Sequence, residues 1–262
     1  MAQKDVLKCI LEKKQERISF AKQQFPEEDL KLKVKDLAPV RPFSAAINKP
    51  RTISLIAEIK KQSPSRGLIR ADFNHQDIAR IYNEVQAQAV SVLTEEDYFA
   101  GNLSYINEVK SLVSVPVLRK DFIIEPYQVY ESRFYGADAI LLIAGLLTKE
   151  KLTELMDIAG ELGLDCLVEV HTEKELKKVL NLKVPLIGIN NRNLHTLEVD
   201  LKITERLFPL IPKDKVVVVE SGIKRHQDVL FLKILGVSAV LVGEVLMEAP
   251  DIKQKVEEIM GW

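Results

Sequence analysis

The sequence predicts an α/β fold of the (β/α)8 barrel type. Eight short apolar runs recur along its 262 residues, helical patterns lie between them, and no break in composition divides the chain. Strands apolar on both faces are what a parallel sheet needs when helices cover its outer side. A doubly wound sheet is the alternative order of the same units. No motif repeats and the spacing is uneven, so the assignment rests on periodicity.

The runs are "TISLIAEI" at 52–59, "AVSVLT" at 89–94, "VPVLRKDF" at 115–122, "ADAILLIA" at 137–144, "DCLVEV" at 165–170, "PLIGIN" at 185–190, "KVVVVES" at 215–221 and "SAVLVG" at 238–243. Between them, 149–163, 172–182 and 226–236 carry apolar residues at helical spacing. Before them, Val6, Ile10, Leu11 and Ile18 space an amphipathic helix, which "FPEED" ends. "PVRPFSAAINKP", with three prolines, reads as an irregular connection. The expected organisation is one barrel domain over 1–262, with 1–50 as an N-terminal helical extension.

Composition narrows the function. Hydrophobic residues at 47% and charged residues at 29% fit a globular chain with a substantial core. A balance of 37 basic against 38 acidic residues gives no global attraction for nucleic acid or an anionic membrane, so any anion site is local. Cys9 and Cys166 fit neither a disulfide framework nor a metal spacing. With no signal-peptide pattern and no run of membrane-spanning length, a cytoplasmic protein is expected. Sequence does not reveal an exposed apolar patch, and a monomer is the default.

In such a barrel the chemistry sits where strands end. Period two puts Glu58 and Lys60 on the face of Ile56, and Lys61 with Ile59 on the other. Lys120 shares parity with Leu118 and Phe122, and Glu169 with Leu167 and His171, although His171 also reads as the start of the next helix. Asn190 and Arg192 fall on one side, the guanidinium being suited to a carboxylate or phosphate. Gly222 and Gly243 close runs seven and eight, where barrels commonly bind phosphate through backbone amides. A turn requirement alone would also explain either glycine. Buried charges are costly unless paired, so this set needs partners, a ligand or a wet mouth.

"IAEIKKQSPSRG", "LTEEDYFAG", "LRKDFI", "LVEVH", "IGINNRNL", "ESGI" and "VLVGEVLM", in this order, closely resemble the indole-3-glycerol phosphate synthase family. The resemblance implies closure of 1-(2-carboxyphenylamino)-1-deoxyribulose 5-phosphate, a phosphosugar-anthranilate conjugate, to indole-3-glycerol phosphate, without metal or organic cofactor. By motif match it makes Lys120 the general acid with Glu58 beside it, and Glu169 the carboxylate of a later proton loss. Lys60 handles the substrate carboxylate and shares acid duty, while Asn190 and Arg192 orient the substrate. Ser63, Ser221, Gly222, Gly243 and Glu244 surround substrate and phosphate, and Pro64, Phe99, Phe122 and Leu141 form the slot for the aromatic ring. The N-terminal helix resembles the family's segment over the barrel mouth.

The chain departs from that pattern at Gly145, after "LLIA", where many members carry a basic residue that pairs with the neighbouring carboxylate. The second Asn of "NNRN" is a milder variation. Partial burial is expected to lower Lys120 towards a useful proton donor, with Glu58 opposing. The rival readings are another phosphosugar barrel enzyme, an isomerase or an aldolase with a Schiff base on Lys120, and a catalytically silent barrel kept for binding.

Overall fold

Ile56, Leu118, Leu141, Leu167, Val218 and Leu241 sit at matching positions of six predicted strands and join in one buried cluster. The computed structural model, which describes residues 6–262, closes those strands into a barrel around them. The strands are β1 (Ser54–Ile59), β2 (Ala89–Leu93), β3 (Val117–Lys120), β4 (Ala139–Ile143), β5 (Asp165–Val170), β6 (Leu186–Asn190), β7 (Val216–Glu220) and β8 (Ala239–Val242). All pair in parallel with their neighbours, and β8 pairs with β1. The alternate residues, among them Ile59, Val90, Val168 and Val240, form a second and larger cluster with the surrounding helices. Two-sided burial is therefore the reason the runs are continuously apolar.

Register carries the polar strand ends to one level. Glu169 lies opposite Gly188, Asn190 opposite Glu220, and Leu241 opposite Glu220. A small antiparallel hairpin, Gln62–Ser63 with Gly67–Leu68, follows β1 and stands beside the same end.

Three helices precede the barrel: α1 (Val6–Gln24), α2 (Glu27–Val34) and α3 (Phe43–Ile47). Helix α1 buries Leu7, Ile10, Lys14 and Ile18, a stripe in which a lysine takes an apolar position. It lies at the C-terminal end of the strands, where Arg17 pairs with Asp97 at 2.6 Å and Lys22 pairs with Glu125. The expected irregular connection holds a helix: in α3, Phe43 and Ile47 are fully buried one turn apart, and burying that pair outweighs the nearby prolines. The backbone N–H of Ser44 donates to Asp165 at the start of β5, so α3 closes the opposite end.

Candidate active site

Ten charged, polar or glycine positions, eight expected from the strand ends and Ser221 and Glu244 from the resemblance, face a single cavity of about 440 Å³: Glu58, Lys60, Lys120, Glu169, Asn190, Arg192, Ser221, Gly222, Gly243 and Glu244. Phe99, Phe122 and Leu141 line it too, the two rings 6.2 Å apart and tilted. Ser63 and Pro64 line an adjoining hollow with Leu7 and Ile10 of α1, joined to the first through Lys60, Phe99, Phe122 and Arg192.

At the bottom of the cavity, Lys120 Nζ lies 3.4 Å from Glu169 Oε2 and 3.5 Å from Glu220 Oε2. Both carboxylates are about 1% exposed. Lys60 Nζ pairs with Glu58 Oε1 at 2.6 Å. Burial would lower Lys120, as the sequence led us to expect, but Glu169, Glu220 and Glu58 together hold its ammonium well above the ordinary lysine value. That expectation is corrected: three carboxylates outweigh desolvation.

The same charges split the two carboxyls. Burial would raise Glu169, yet Lys120, His171 and the Asn190 amide hold it well below the usual range. Burial and the repulsion of Glu169 and Glu58 push Glu220 up to about 8, although Lys120 opposes them. Neither Glu220 oxygen makes a hydrogen bond among the described residues.

Glycines make room for these acids. A Cβ on Gly243 would stand 2.3 Å from Glu58 Oε1, and one on Gly188 would stand 2.5 Å from Glu220 Oε1. Gly222 has φ +86°, following Ser221 at φ +65°, so the chain leaves β7 through two left-handed residues, one of them bearing a side chain. Asn191, fully buried, fixes that exit: its amide donates to the carbonyls of Glu220 and Ser221 at 3.2 and 3.1 Å, and its oxygen accepts from Thr204.

At the rim, Arg192 Nη2 and Arg66 Nε bind the two oxygens of Glu244 at 2.9 and 3.0 Å, and Arg192 Nη1 reaches Ser65 Oγ at 3.1 Å. His171 stands behind Glu169, its Nε2 3.2 Å from Oε1. Sequence reasoning passed over Glu220, which closes "KVVVVE" with the parity of Val216 and Val218, the same signal that marked Glu58 and Glu169. It also passed over Arg66, on a hairpin that no periodicity announces. No group of three or more His, Cys, Asp or Glu among the described residues is arranged to hold a metal ion, and no helix is long and apolar enough to cross a membrane.

Solved structures share the architecture. The tryptophan synthase α2β2 complex from the hyperthermophile Pyrococcus furiosus superposes with a TM-score of 0.59 at 18% identity, over 80% of this chain and 98% of that one. 3-Hexulose-6-phosphate synthase from Salmonella typhimurium does so at 0.63 and 13%, over 80% and 97%. Fold and site define a (β/α)8-barrel enzyme acting on a small molecule. Residues 7–259 match the family described as indole-3-glycerol phosphate synthase. Synthases of that name from Desulforamulus reducens and Dehalococcoides mccartyi are 48% and 49% identical to it, covering 97% and 95% of this chain and the same shares of their own. The chain belongs to the indole-3-glycerol phosphate synthase family, carboxy-lyases of tryptophan biosynthesis.

Proposed function

We propose that this chain converts 1-(2-carboxyphenylamino)-1-deoxyribulose 5-phosphate into indole-3-glycerol phosphate, with release of carbon dioxide and water. The observation that carries the reading is the half-buried Lys120 ammonium between the buried Glu169 and Glu220, in a cavity with aromatic rings on one wall and arginines at the rim.

The ring carbon bearing the carboxylate attacks the ketone carbon, and the Lys120 ammonium gives its proton to the oxygen as negative charge develops there. An alkoxide is far more basic than an amine, so the transfer runs downhill even from an ammonium held above its ordinary value. The carbon–carboxylate bond then breaks, its electron pair returns to the ring, and carbon dioxide leaves. The hydroxyl departs as water when an acid protonates it, and a base takes a proton from the neighbouring carbon to complete the aromatic product. Glu169, held ionised, is the base of this last step. Glu220, near neutrality, carries a proton in reach of the same centre, and Lys60 faces the substrate carboxylate and shares in the dehydration.

Phe99, Phe122, Leu141 and Pro64 hold the aromatic ring. Asn190, Arg192, Ser63 and Ser221 orient the sugar, and Gly222, Gly243 and the backbone at Glu244 receive the phosphate with the rim arginines. No metal or organic cofactor enters the scheme. Indole fluorescence tests the reading: purified protein given the substrate should develop it, whereas binding without turnover would select the silent barrel. Borohydride trapping that left an adduct on Lys120 would select the aldolase. We place the reaction in the cytoplasm, on a monomer.

A further inference from the structure

His171 opens the segment after β5 and carries a contact on each ring nitrogen. Nε2 lies 3.2 Å from Glu169 Oε1, and Nδ1 lies 3.3 Å from Glu175 Oε2. That Glu175 oxygen also accepts the His171 backbone N–H at 2.7 Å. Glu175 is fixed in turn, because its own N–H donates to the capping Thr172 hydroxyl at 3.2 Å. Gly145 leaves the space for its carboxylate, since a Cβ there would stand 3.3 Å from Glu175 Oε1.

Nδ1 is hydrogen-bonded to Glu175, whereas Nε2 approaches Glu169 Oε1 at ion-pair distance without hydrogen-bond alignment, and a ring set between two carboxylates is favoured in its doubly protonated, cationic form. Burial opposes the charge, but Glu169 and Glu175 override it and raise His171 to about 10. The other groups around it are already engaged. Lys120 lies on the opposite oxygen of Glu169, and Lys178, from the helix that carries Glu175, is held by the carbonyls of Ala144 and Leu147 at 2.5 and 2.7 Å.

We propose that His171 is a positioning residue of the reaction: anchored on Glu175, its imidazolium binds Oε1 of Glu169 and leaves Oε2 as the oxygen that meets Lys120 and the substrate. The inference rests on the base role given to Glu169 above. The substrate never needs to touch the ring, which sets the direction and ionisation of a carboxylate that does the chemistry. The same contact explains how Glu169 is tuned in a chain with glycine at 145.

Steady-state kinetics of His171→Ala and Glu175→Gln decide it. We expect kcat to fall about tenfold to a hundredfold for the first and less for the second, in the lower part of the range for acid–base groups. KM should stay within about threefold, and the acidic limb of the kcat profile should move to higher pH in His171→Ala, because Glu169 loses its cation. Combined with Glu169→Gln, His171→Ala should add no further loss. Unchanged kcat and an unmoved acidic limb would overturn the proposal, as would full additivity. If His171→Ala does not fold, Glu175→Gln and a ring-nitrogen NMR titration carry the test. The wild-type imidazolium should persist well above pH 8, and a midpoint near the ordinary histidine value would overturn the clamp. Absence of product from the wild-type protein would sink the reaction scheme instead, and the NMR result would still stand.

Discussion

Lys14 of helix α1 and Asp121, the residue that follows Lys120, form an ion pair of 2.7 Å with both side chains almost completely buried. Arg119 reaches the other Asp121 oxygen at 3.0 Å, and the Thr94 hydroxyl donates to it at 2.6 Å. One buried carboxylate thus ties the N-terminal helix to the strand that presents Lys120. Removing one partner of a buried pair leaves an uncompensated charge. Because Arg119 remains, Lys14→Met should cost about 2 kcal/mol, less than a complete break. The melting midpoint should drop by roughly 4–8 °C for a chain of this size. Differential scanning calorimetry checks it, with Lys13→Met on the exposed side as the control expected to change little.

Lys120→Ala should lower kcat by about a hundredfold to ten-thousandfold, the range for a positioned acid. The melting midpoint should fall as well, because buried Glu169 loses its cation, but the apolar core of eight strands is untouched and the variant should still fold. A folded variant with near-normal turnover would remove Lys120 from the acid role. Lys60→Ala, measured beside it, apportions the two ammonium groups.

Glu220, raised to about 8, sets a pH dependence of stability. The folded state keeps a proton that the unfolded chain has released at its ordinary carboxyl value, so unfolding releases it and stability falls as pH rises between roughly 4.5 and 8. Glu220→Gln should flatten that descending limb. His171, raised to about 10, acts at higher pH: its contribution is complete below about 6.5 and disappears as pH climbs through the folded value. Denaturant titrations at a series of pH values separate the two, since only the second limb should persist in the Gln variant.

Gly243→Ala places a methyl 2.3 Å from Glu58 Oε1, so Glu58 has to leave its contact with Lys60. Turnover should fall at least about tenfold, given the sensitivity of such sites to small displacements. The secondary structure read by circular dichroism should be retained. Gly188→Ala, crowding Glu220 at 2.5 Å, should act in the same direction. Normal kcat in both variants would mean that the carboxylates need not occupy these places.

Glu244 occupies both rim arginines with a charge of the same sign as phosphate. Burial would raise its carboxyl, but Arg66, Arg192 and Lys60 hold it below the ordinary glutamate value, so it is charged at neutral pH. Freeing Arg66 and Arg192 should therefore strengthen anion binding: inorganic phosphate should inhibit Glu244→Gln more strongly than wild type, by about threefold to tenfold at low salt. Weaker inhibition would show instead that the carboxylate sets the arginines in their useful geometry.

The eight strands, their order and the sites of Glu58, Lys60, Lys120 and Glu169 were legible because an apolar run with period two announces both a strand and the faces of its side chains. Glu220 followed the same rule, but the glycine after it drew the reading to the phosphate. Arg66 and Glu175 gave no such signal, since one sits on a hairpin and the other on a helix whose partners lie 178 and 4 residues away. Helix α3 hid behind prolines because Phe43 and Ile47 gain their burial from the barrel rather than from their own segment.

Taken alone, the sequence determined the barrel, its mouth as the place of the proposed chemistry, and the types of residue gathered there, because burial periodicity is a local property of the chain. Only the tertiary structure decided the charge states. Whether Lys120 is lowered or raised, and which of Glu169 and Glu220 keeps its proton, depends on distances of a few ångströms between strands far apart in sequence, where Coulomb and desolvation energies are comparable and opposite in sign.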